Sequence, residues 1–302
     1  MRNSLSVIAL LAATVPGVAH AQACDPVFLS SDQAATIDGI RIEPGAVATR
    51  DIFVRVANDA SVAGSGGGTC PATIRIARIS PPPGPNFPVY TLRGPGNRQI
   101  EILPDRASAG TASSDIAIAN APQGPQGRAV KISVAVSTEW GLSAGTYVDE
   151  LEVLLIDDTG NIETTKLTVT IIVPAAVSLR LVGAILGGGP GAPAQVDLGT
   201  LSSERRTQAD NFAARIFSTG QYSVRLTSSN NGRLGHEAAD ENIPYRLYFD
   251  GQLADLGSGA EFSYLGPTPR VGDLRPMRIS VEPVVALAGR YSDRISVTVT
   301  AM

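Results

Sequence analysis

The sequence has very little histidine and cysteine, the residues on which most metal sites and many hydrolytic enzymes depend. Its 302 residues include two His and two Cys, and His20 lies in the N-terminal segment discussed below. One remaining His and two Cys cannot build a four-ligand Cys/His zinc site. A Ser-His-Asp or Cys-His enzyme would depend on His236 alone. Because no nucleophile motif such as G-x-S-x-G accompanies it, we expect His236 to be a solvated loop residue. We predict no enzyme activity, cofactor or metal.

Charge and aromatic content exclude further classes of protein. The formal net charge is −4, which argues against a general nucleic-acid binder. Aromatic residues make up only 5% and charged residues 17% of the chain, but 43% is hydrophobic. The chain can therefore bury a core and does not have the composition of a disordered protein. Its 31 Gly and 21 Pro favour turns and short strands over long helices.

Residues 1–21 have the pattern of a secretory signal peptide. Arg2 supplies a positive start, Val7–Val15 is a short apolar run, and Ala19–Ala21 fits a small-x-small cleavage site. The mature chain is expected to begin at Gln22. The alternative is a membrane anchor, but the apolar run is too short to span a bilayer.

Export makes a disulfide bond possible. Cys24 and Cys70 are most simply one bond, although two free thiols are the alternative. The stretch Gly64–Gly68 between them precedes no helix and lacks the Lys of a phosphate-binding loop. We interpret that stretch as a flexible loop.

Apolar residues recur with a period of two along much of the chain, which is typical of half-buried strands. Turn-forming residues separate these runs, as in Asp157–Asn161 and in Asp250-Gly251. The clearest alternating sets are Ile52, Val54, Val56; Tyr222, Val224, Leu226; and Ile295, Val297, Val299. The pattern predicts an all-β chain built from sandwiches.

A short internal repeat divides the chain. Both 132–153 and 279–297 contain a strand, an Ala-Gly-x-Tyr-x-Asp corner and a second strand. The Gly permits a tight corner, and the Tyr can return its hydroxyl to the backbone. We predict structural corners rather than the alternative, a ligand site, at Gly145, Tyr147, Asp149, Gly289, Tyr291 and Asp293. We therefore expect two β-sandwich domains, 22–176 and 177–302.

The two copies differ after the corner strand. The first continues through a turn into a further strand, Glu163–Val173, whereas the second ends at Met302. The second sandwich is therefore predicted to lack one strand and to expose a core groove and an unpaired edge. A strand donated by a partner would fill such a groove. The alternative is closure by a strand of the same chain, for instance Val177–Leu186.

Residues near the C-terminus are similar to a known family. The runs Leu287–Thr300 and Tyr222–Leu234, followed by Ile243-Pro244-Tyr245, resemble the spore coat protein U-like domain. That family includes subunits of archaic chaperone–usher pili. The resemblance implies an incomplete immunoglobulin-like sandwich in a Gram-negative bacterium, with three partners: a periplasmic chaperone, an outer-membrane usher and the adjacent pilin subunit that donates a strand. It implies export to the cell surface, attachment to abiotic or host surfaces and biofilm formation.

Within that family, the position of Cys24 suggests a tip subunit. Only Gln22 and Ala23 precede Cys24 in the expected mature chain, so a Cys24–Cys70 bond leaves no free arm to donate to a neighbour. The first domain would then be the adhesive one.

Aromatic and apolar residues on stiff loops are the candidate adhesive contacts. We predict Phe87, Tyr90, Trp140 and Leu142. The alternative for Tyr90 and Trp140 is burial in the sandwich core. A free-standing two-domain binding protein of the periplasm or cell surface is the rival to the whole interpretation.

Overall fold

A computed structural model describes residues 24–59, 70–81, 83–183, 186–187 and 193–302. The predicted signal peptide 1–21 and the Gly64–Gly68 loop lie outside these ranges. Within them, the regular structure is strand apart from two short 3-10 helices, Pro95–Asn97 and Arg106–Thr111. The all-β class predicted from the period-two pattern is confirmed.

The first eleven strands form one sandwich, which we call the first sandwich. They are β1 Pro26–Phe28, β2 Gln33–Ile37, β3 Val47–Asn58, β4 Ala72–Arg78, β5 Tyr90–Arg93, β6 Gln99–Ile100, β7 Ile102–Leu103, β8 Ile116–Ile118, β9 Arg128–Ser137, β10 Gly145–Asp157 and β11 Ile162–Val173. One sheet has the order β1-β3-β9-β5-β6. The other has the order β2-β11-β10-β4-β7, with β8 also paired to β4.

The hairpin of β10 and β11 forms the centre of the second of these sheets. The strands pair from Gly145 opposite Val173 to Ile156 opposite Ile162. At the turn, the Asp157 carboxylate accepts hydrogen bonds from the amides of Thr159 and Asn161, which is how Asp stabilises turns. On its outer edge β11 pairs in parallel with β2. Each long edge of β10 and β11 is thus hydrogen-bonded to another strand.

The remaining thirteen strands form what we call the second sandwich. They are β12 Val177–Gly183, β13 Leu186–Gly187, β14 Ala194–Gln195, β15 Thr207–Ser218, β16 Tyr222–Ser228, β17 Arg233–His236, β18 Asn242–Pro244, β19 Arg246–Phe249, β20 Gln252–Ala254, β21 Ala260–Tyr264, β22 Asp273–Val281, β23 Tyr291–Ser292 and β24 Ile295–Ala301. The larger sheet has the order β12-β15-β22-β19-β20. Opposite it lie the sheets β21-β16-β24 and β18-β17-β23, and β13 pairs with β14.

Each sandwich has its own apolar core. In the first, buried Ile, Val and Leu side chains of both sheets interdigitate around residues such as Ile74, Ile132 and Leu151. In the second, the core is centred on Tyr222, Leu247 and Phe249. The first sandwich also contains the Cys24–Cys70 disulfide, with 5.2 Å between the two Cα atoms. The bond predicted from the sequence is confirmed, and it ties the start of β1 to the start of β4.

A turn of the second sandwich is hydrogen-bonded to the chain that joins the two. Thr219, between β15 and β16, is fully buried. Its hydroxyl donates to the carbonyl of Pro174 at 2.8 Å and accepts from the amide of Ala176 at 2.8 Å. Its amide donates to the Ala176 carbonyl, and its carbonyl accepts from the amide of Ala144. Every polar atom of this residue therefore bonds to the linker or to the first sandwich.

Candidate functional site: the edge of the second sandwich

The candidate site is the edge of β24, the strand that corresponds to β10 in the sequence repeat. Aligning the two Ala-Gly-x-Tyr-x-Asp corners places Ile295 at the position of Leu151. Just as β10 pairs with β4, β24 pairs with β16 from Ile295 opposite Ser228 to Ala301 opposite Tyr222. On its other edge β10 pairs with β11. No described strand is hydrogen-bonded to the corresponding edge of β24.

Burial differs between these two strands in the way that a missing neighbour predicts. The core-facing residues of β10, Leu151 and Val153, are 0% exposed, because the apolar side chains of β11 pack beside them. Their counterparts on β24, Ile295 and Val297, are only half-buried and lie at the margin of the second core. Val299 is half-buried in the same way. The apolar side of β24 is thus incompletely covered.

The opposite wall of this region is β12. Its alternate residues Val177, Leu179 and Leu181 face the core and are likewise only half-buried. β12 pairs with β15 in the larger sheet, and some of its Cα atoms come within 8 Å of those of β24. No described backbone pairing joins β12 to β24. Val177–Gly183 is therefore a strand of the second sandwich that does not pair with β24, and the alternative in which Val177–Leu186 closes this sandwich stays a prediction.

The corner tyrosines occupy matching positions in the two sandwiches. The Tyr147 hydroxyl donates to the carbonyl of Ser143 at 2.9 Å, and that of Tyr291 donates to the carbonyl of Leu287 at 3.2 Å. In both cases the acceptor lies four residues earlier. Gly145 and Gly289 precede them with φ of 152° and 157°, values that favour glycine. This is the geometry expected of a structural corner, which stays our prediction for these residues.

The two corner aspartates bind different groups. Asp149 is 4% exposed and accepts hydrogen bonds from the Arg78 guanidinium and the Tyr90 hydroxyl. Asp293 instead accepts from neutral donors: the hydroxyls of Ser228 at 2.5 Å and Tyr245 at 2.6 Å, and the amide of Asn230 at 3.1 Å. The first corner thus holds a buried ion pair, and the second holds a network of neutral donors around one carboxylate.

The second corner has an additional carboxylate that the sequence repeat does not indicate. Glu241 accepts from the Tyr291 hydroxyl and from the amide of Leu287. These bonds lower the pKa of Glu241 below its ordinary value, the bond from Tyr291 most of all. Desolvation, followed by the bond to Glu241, raises the pKa of Tyr291 to about 12.

The four predicted adhesive side chains pack against the core of the first sandwich, and all are half-buried. The rings of Phe87 and Tyr147 are 5.5 Å apart, and Tyr90 bonds to Asp149. The ring of Trp140 lies 5.5 Å from that of Phe217 in the second sandwich. Each of the four side chains therefore packs against a neighbour within the described residues.

For Trp140 the contacts favour the packing alternative that the sequence left open. Beside it, Glu139 forms an ion pair with Arg270 of the second sandwich. Leu142 packs at the margin of the first core. The adhesive role of Phe87, Tyr90, Trp140 and Leu142 stays a prediction.

His236 lies beside the second corner. Its Nδ1 accepts from the amide of Ala238 at 3.0 Å, and its Nε2 lies 3.3 Å from the carbonyl of Ala288. A side chain at Gly289 would overlap the imidazole. The described residues hold no group of three or more His, Cys, Asp or Glu able to bind a metal. Nor does any helix in these ranges have the length and apolar character needed to cross a membrane.

Comparisons with known proteins give likenesses of structure only. No protein family matches the chain, and no curated protein matches it. The fold is similar to the CsuC–CsuE chaperone–tip adhesion subunit complex of Acinetobacter baumannii Csu pili, with 15% identity and a TM-score of 0.45, covering 92% of this chain and 99% of that one.

Two further solved structures are adhesins. The CupB6 tip adhesin of Pseudomonas aeruginosa has 13% identity and a TM-score of 0.37, covering 92% of this chain and 94% of that one. CfaE, the adhesive subunit of CFA/I fimbria of enterotoxigenic Escherichia coli, has 11% identity and a TM-score of 0.33, covering 90% and 98%. Likenesses this distant carry no argument about function, which has to come from the chain's own geometry.

Proposed function

We propose that the chain is the adhesive subunit at the tip of a chaperone–usher pilus and that its second sandwich accepts a strand from the next subunit. The observation that carries this proposal is the edge of β24, which has no described partner although Ile295, Val297 and Val299 line it with half-buried apolar side chains. An edge of this kind is a template for an added strand whose alternate side chains enter the core.

The proposal assigns a role to each sandwich and to each partner. Domain 22–176 would make the adhesive contacts with an abiotic or host surface and promote biofilm formation, and domain 177–302 would join the fibre. A periplasmic chaperone would protect the apolar edge during export through an outer-membrane usher. Among the described residues, the first strand, β1, already pairs with β3 of its own sandwich and is tied there by the disulfide. It is therefore not available to a neighbouring subunit. We therefore place the subunit as an acceptor of a strand.

A free-standing binding protein is the second candidate, and the position of β12 favours it. Because β12 lies beside β24, it covers part of the apolar edge without hydrogen bonds. If this cover is sufficient, the sandwich needs no partner. The two candidates therefore differ in whether the second sandwich gains stability from an additional strand.

The first sandwich supplies the strand for this test. The alignment places Met302 at the position of Asp158, so appending Thr159–Val173 after Met302 copies the remainder of the β10–β11 hairpin. In that register, the appended copy of Leu167 lies opposite Ile295, as Leu167 itself lies opposite Leu151. We expect the melting temperature of the second sandwich to rise by about 10 °C or more, because a strand ladder and several apolar side chains become buried.

A matched control separates strand addition from a longer chain. In the control, the appended copies of Leu167, Val169 and Ile171 are changed to Thr, which keeps the preference for strand but removes the apolar side chains. We expect little or no rise in melting temperature for the control in calorimetry. If the fused chain and the unextended chain have the same melting temperature, the proposal is contradicted and the free-standing binding protein is favoured.

A further inference from the structure

The outer face of the second sandwich contains two arginines directly opposite each other. Arg180 on β12 pairs with Arg215 on the neighbouring β15, which places their Cβ atoms about 5 Å apart. Like charges in this position destabilise a sheet. No carboxylate of the described residues lies within ion-pair distance of either side chain. No carboxylate of the described residues therefore offsets the repulsion of the pair.

In the other cross-strand pairs of charged residues, the two charges have opposite signs. Two further registers among the described strands place charged residues directly opposite each other: Glu152 with Lys166 and Arg225 with Glu261. Both have opposite signs. The arginine pair is the exception among these registers, and exceptions to local sequence rules are concentrated at functional sites.

The surroundings hold the two side chains on one patch. The Arg180 guanidinium lies over the ring of Phe217, 5.7 Å from its centroid. A Cβ at Gly272 would lie 3.0 Å from Cγ of Arg215 and 2.9 Å from the Phe217 ring, so the glycine lets both pack closely. Arg278 lies on the same outer face, over the ring of Tyr248. The Arg180 and Arg215 side chains are thus packed beside one aromatic ring, that of Phe217.

We propose that Arg180 and Arg215 form a binding site for a phosphate group. Two planar guanidinium forks match the several oxygens of one tetrahedral phosphate. Two positive charges also balance a phosphate dianion, whereas a single carboxylate would balance only one of them. The phosphate is either free or carried on a lipid. This site lies on the face of β12 opposite to Leu179 and Leu181, and it does not depend on the pilus role.

Variants of the full chain test this site with inorganic phosphate as the probe. Arg180→Gln and Arg215→Gln each remove one guanidinium fork from the outer face of the sheet. Arg225→Gln is the matched control, because Arg225 is exposed on a strand but lies opposite an acid. Titration followed by arginine side-chain NMR, against sodium chloride of equal ionic strength, measures the affinity.

We expect the wild type and Arg225→Gln to bind phosphate alike and each single variant of the pair to bind at least ~10-fold more weakly. Circular dichroism at each step verifies that the variants are folded. Equal binding by all four proteins, or no binding beyond that of chloride, overturns the proposal.

A second arm distinguishes the source of the phosphate. Vesicles of phosphatidylcholine with and without phosphatidylglycerol are sedimented with the same four proteins. Co-sedimentation that needs phosphatidylglycerol and both arginines identifies a lipid-borne phosphate. Binding of inorganic phosphate alone identifies a free one. Vesicle binding that is equal in all four proteins contradicts the site.

Discussion

The two sandwiches contain the same corner followed by the same kind of strand, yet one strand is enclosed and the other is not. On β10, Leu151 and Val153 are fully buried because β11 continues the sheet. On β24, Ile295 and Val297 stay half-buried beside an edge without a described partner. The difference shows that a strand's own sequence does not determine its burial. The neighbour that covers it does.

The largest expected effect is the difference in stability lost when each of the two corner aspartates is replaced. Asp149→Ala leaves the Arg78 guanidinium, 15% exposed, without its buried partner and should destabilise the first sandwich by about 3–5 kcal/mol. Asp293→Ala removes bonds from neutral donors and should destabilise the second by about 1–3 kcal/mol. Calorimetric unfolding of both variants measures the two losses. Equal losses would show that the buried ion pair adds nothing to the first corner.

A smaller expected effect is the difference in stability lost when a valine is shortened in the covered strand and in the uncovered one. Val153→Ala in the enclosed strand should lower the free energy of unfolding by about 2–3 kcal/mol, from lost apolar burial and a cavity. Val297→Ala, at the matching position of the half-buried strand, should lower it by about 1 kcal/mol. With the Thr159–Val173 strand appended, the Val297→Ala loss should approach that of Val153→Ala. A Val297→Ala loss that the appended strand leaves unchanged would show that the strand does not cover this residue.

The smallest effect is a difference in pH dependence between the corner tyrosines. Because the folded pKa of Glu241 is lowered, its bond to Tyr291 stabilises the fold above the ordinary carboxyl pKa, and this is lost as pH falls through the lowered value. Tyr291→Phe should therefore cost less stability at acid pH than at neutral pH. Tyr147 donates to a backbone carbonyl, so Tyr147→Phe should have the same effect at both. Unfolding at the two pH values checks this, and identical profiles would exclude the role of Glu241.

Much of the fold follows from local sequence. The period-two pattern predicts the strands, Asp157–Asn161 predicts the hairpin that the structure contains, and the repeat predicts two related corners. The parallel pairing of β11 with β2 does not follow, because parallel partners are distant in sequence and no turn specifies their register.

The sites are less predictable than the strands. Trp140 appears on a loop in the sequence, and nothing local indicates that Phe217 of the other sandwich covers it. The Arg180–Arg215 pair depends on a strand register that the sequence pattern does not specify. Likewise, Val177, Leu179 and Leu181 alternate as a strand should, but only the fold assigns β12 to the wall opposite β24.

Amide hydrogen exchange along β24 tests the central claim most directly. Alternate amides of an antiparallel strand point to opposite edges, so those of Ile295–Ala301 that face away from β16 should exchange fast in the full chain. They should become slow when Thr159–Val173 is appended, while the amides of β10 stay slow in both chains. Slow exchange at every β24 amide of the unextended chain would contradict an open edge and, with it, the proposal that the second sandwich accepts a strand.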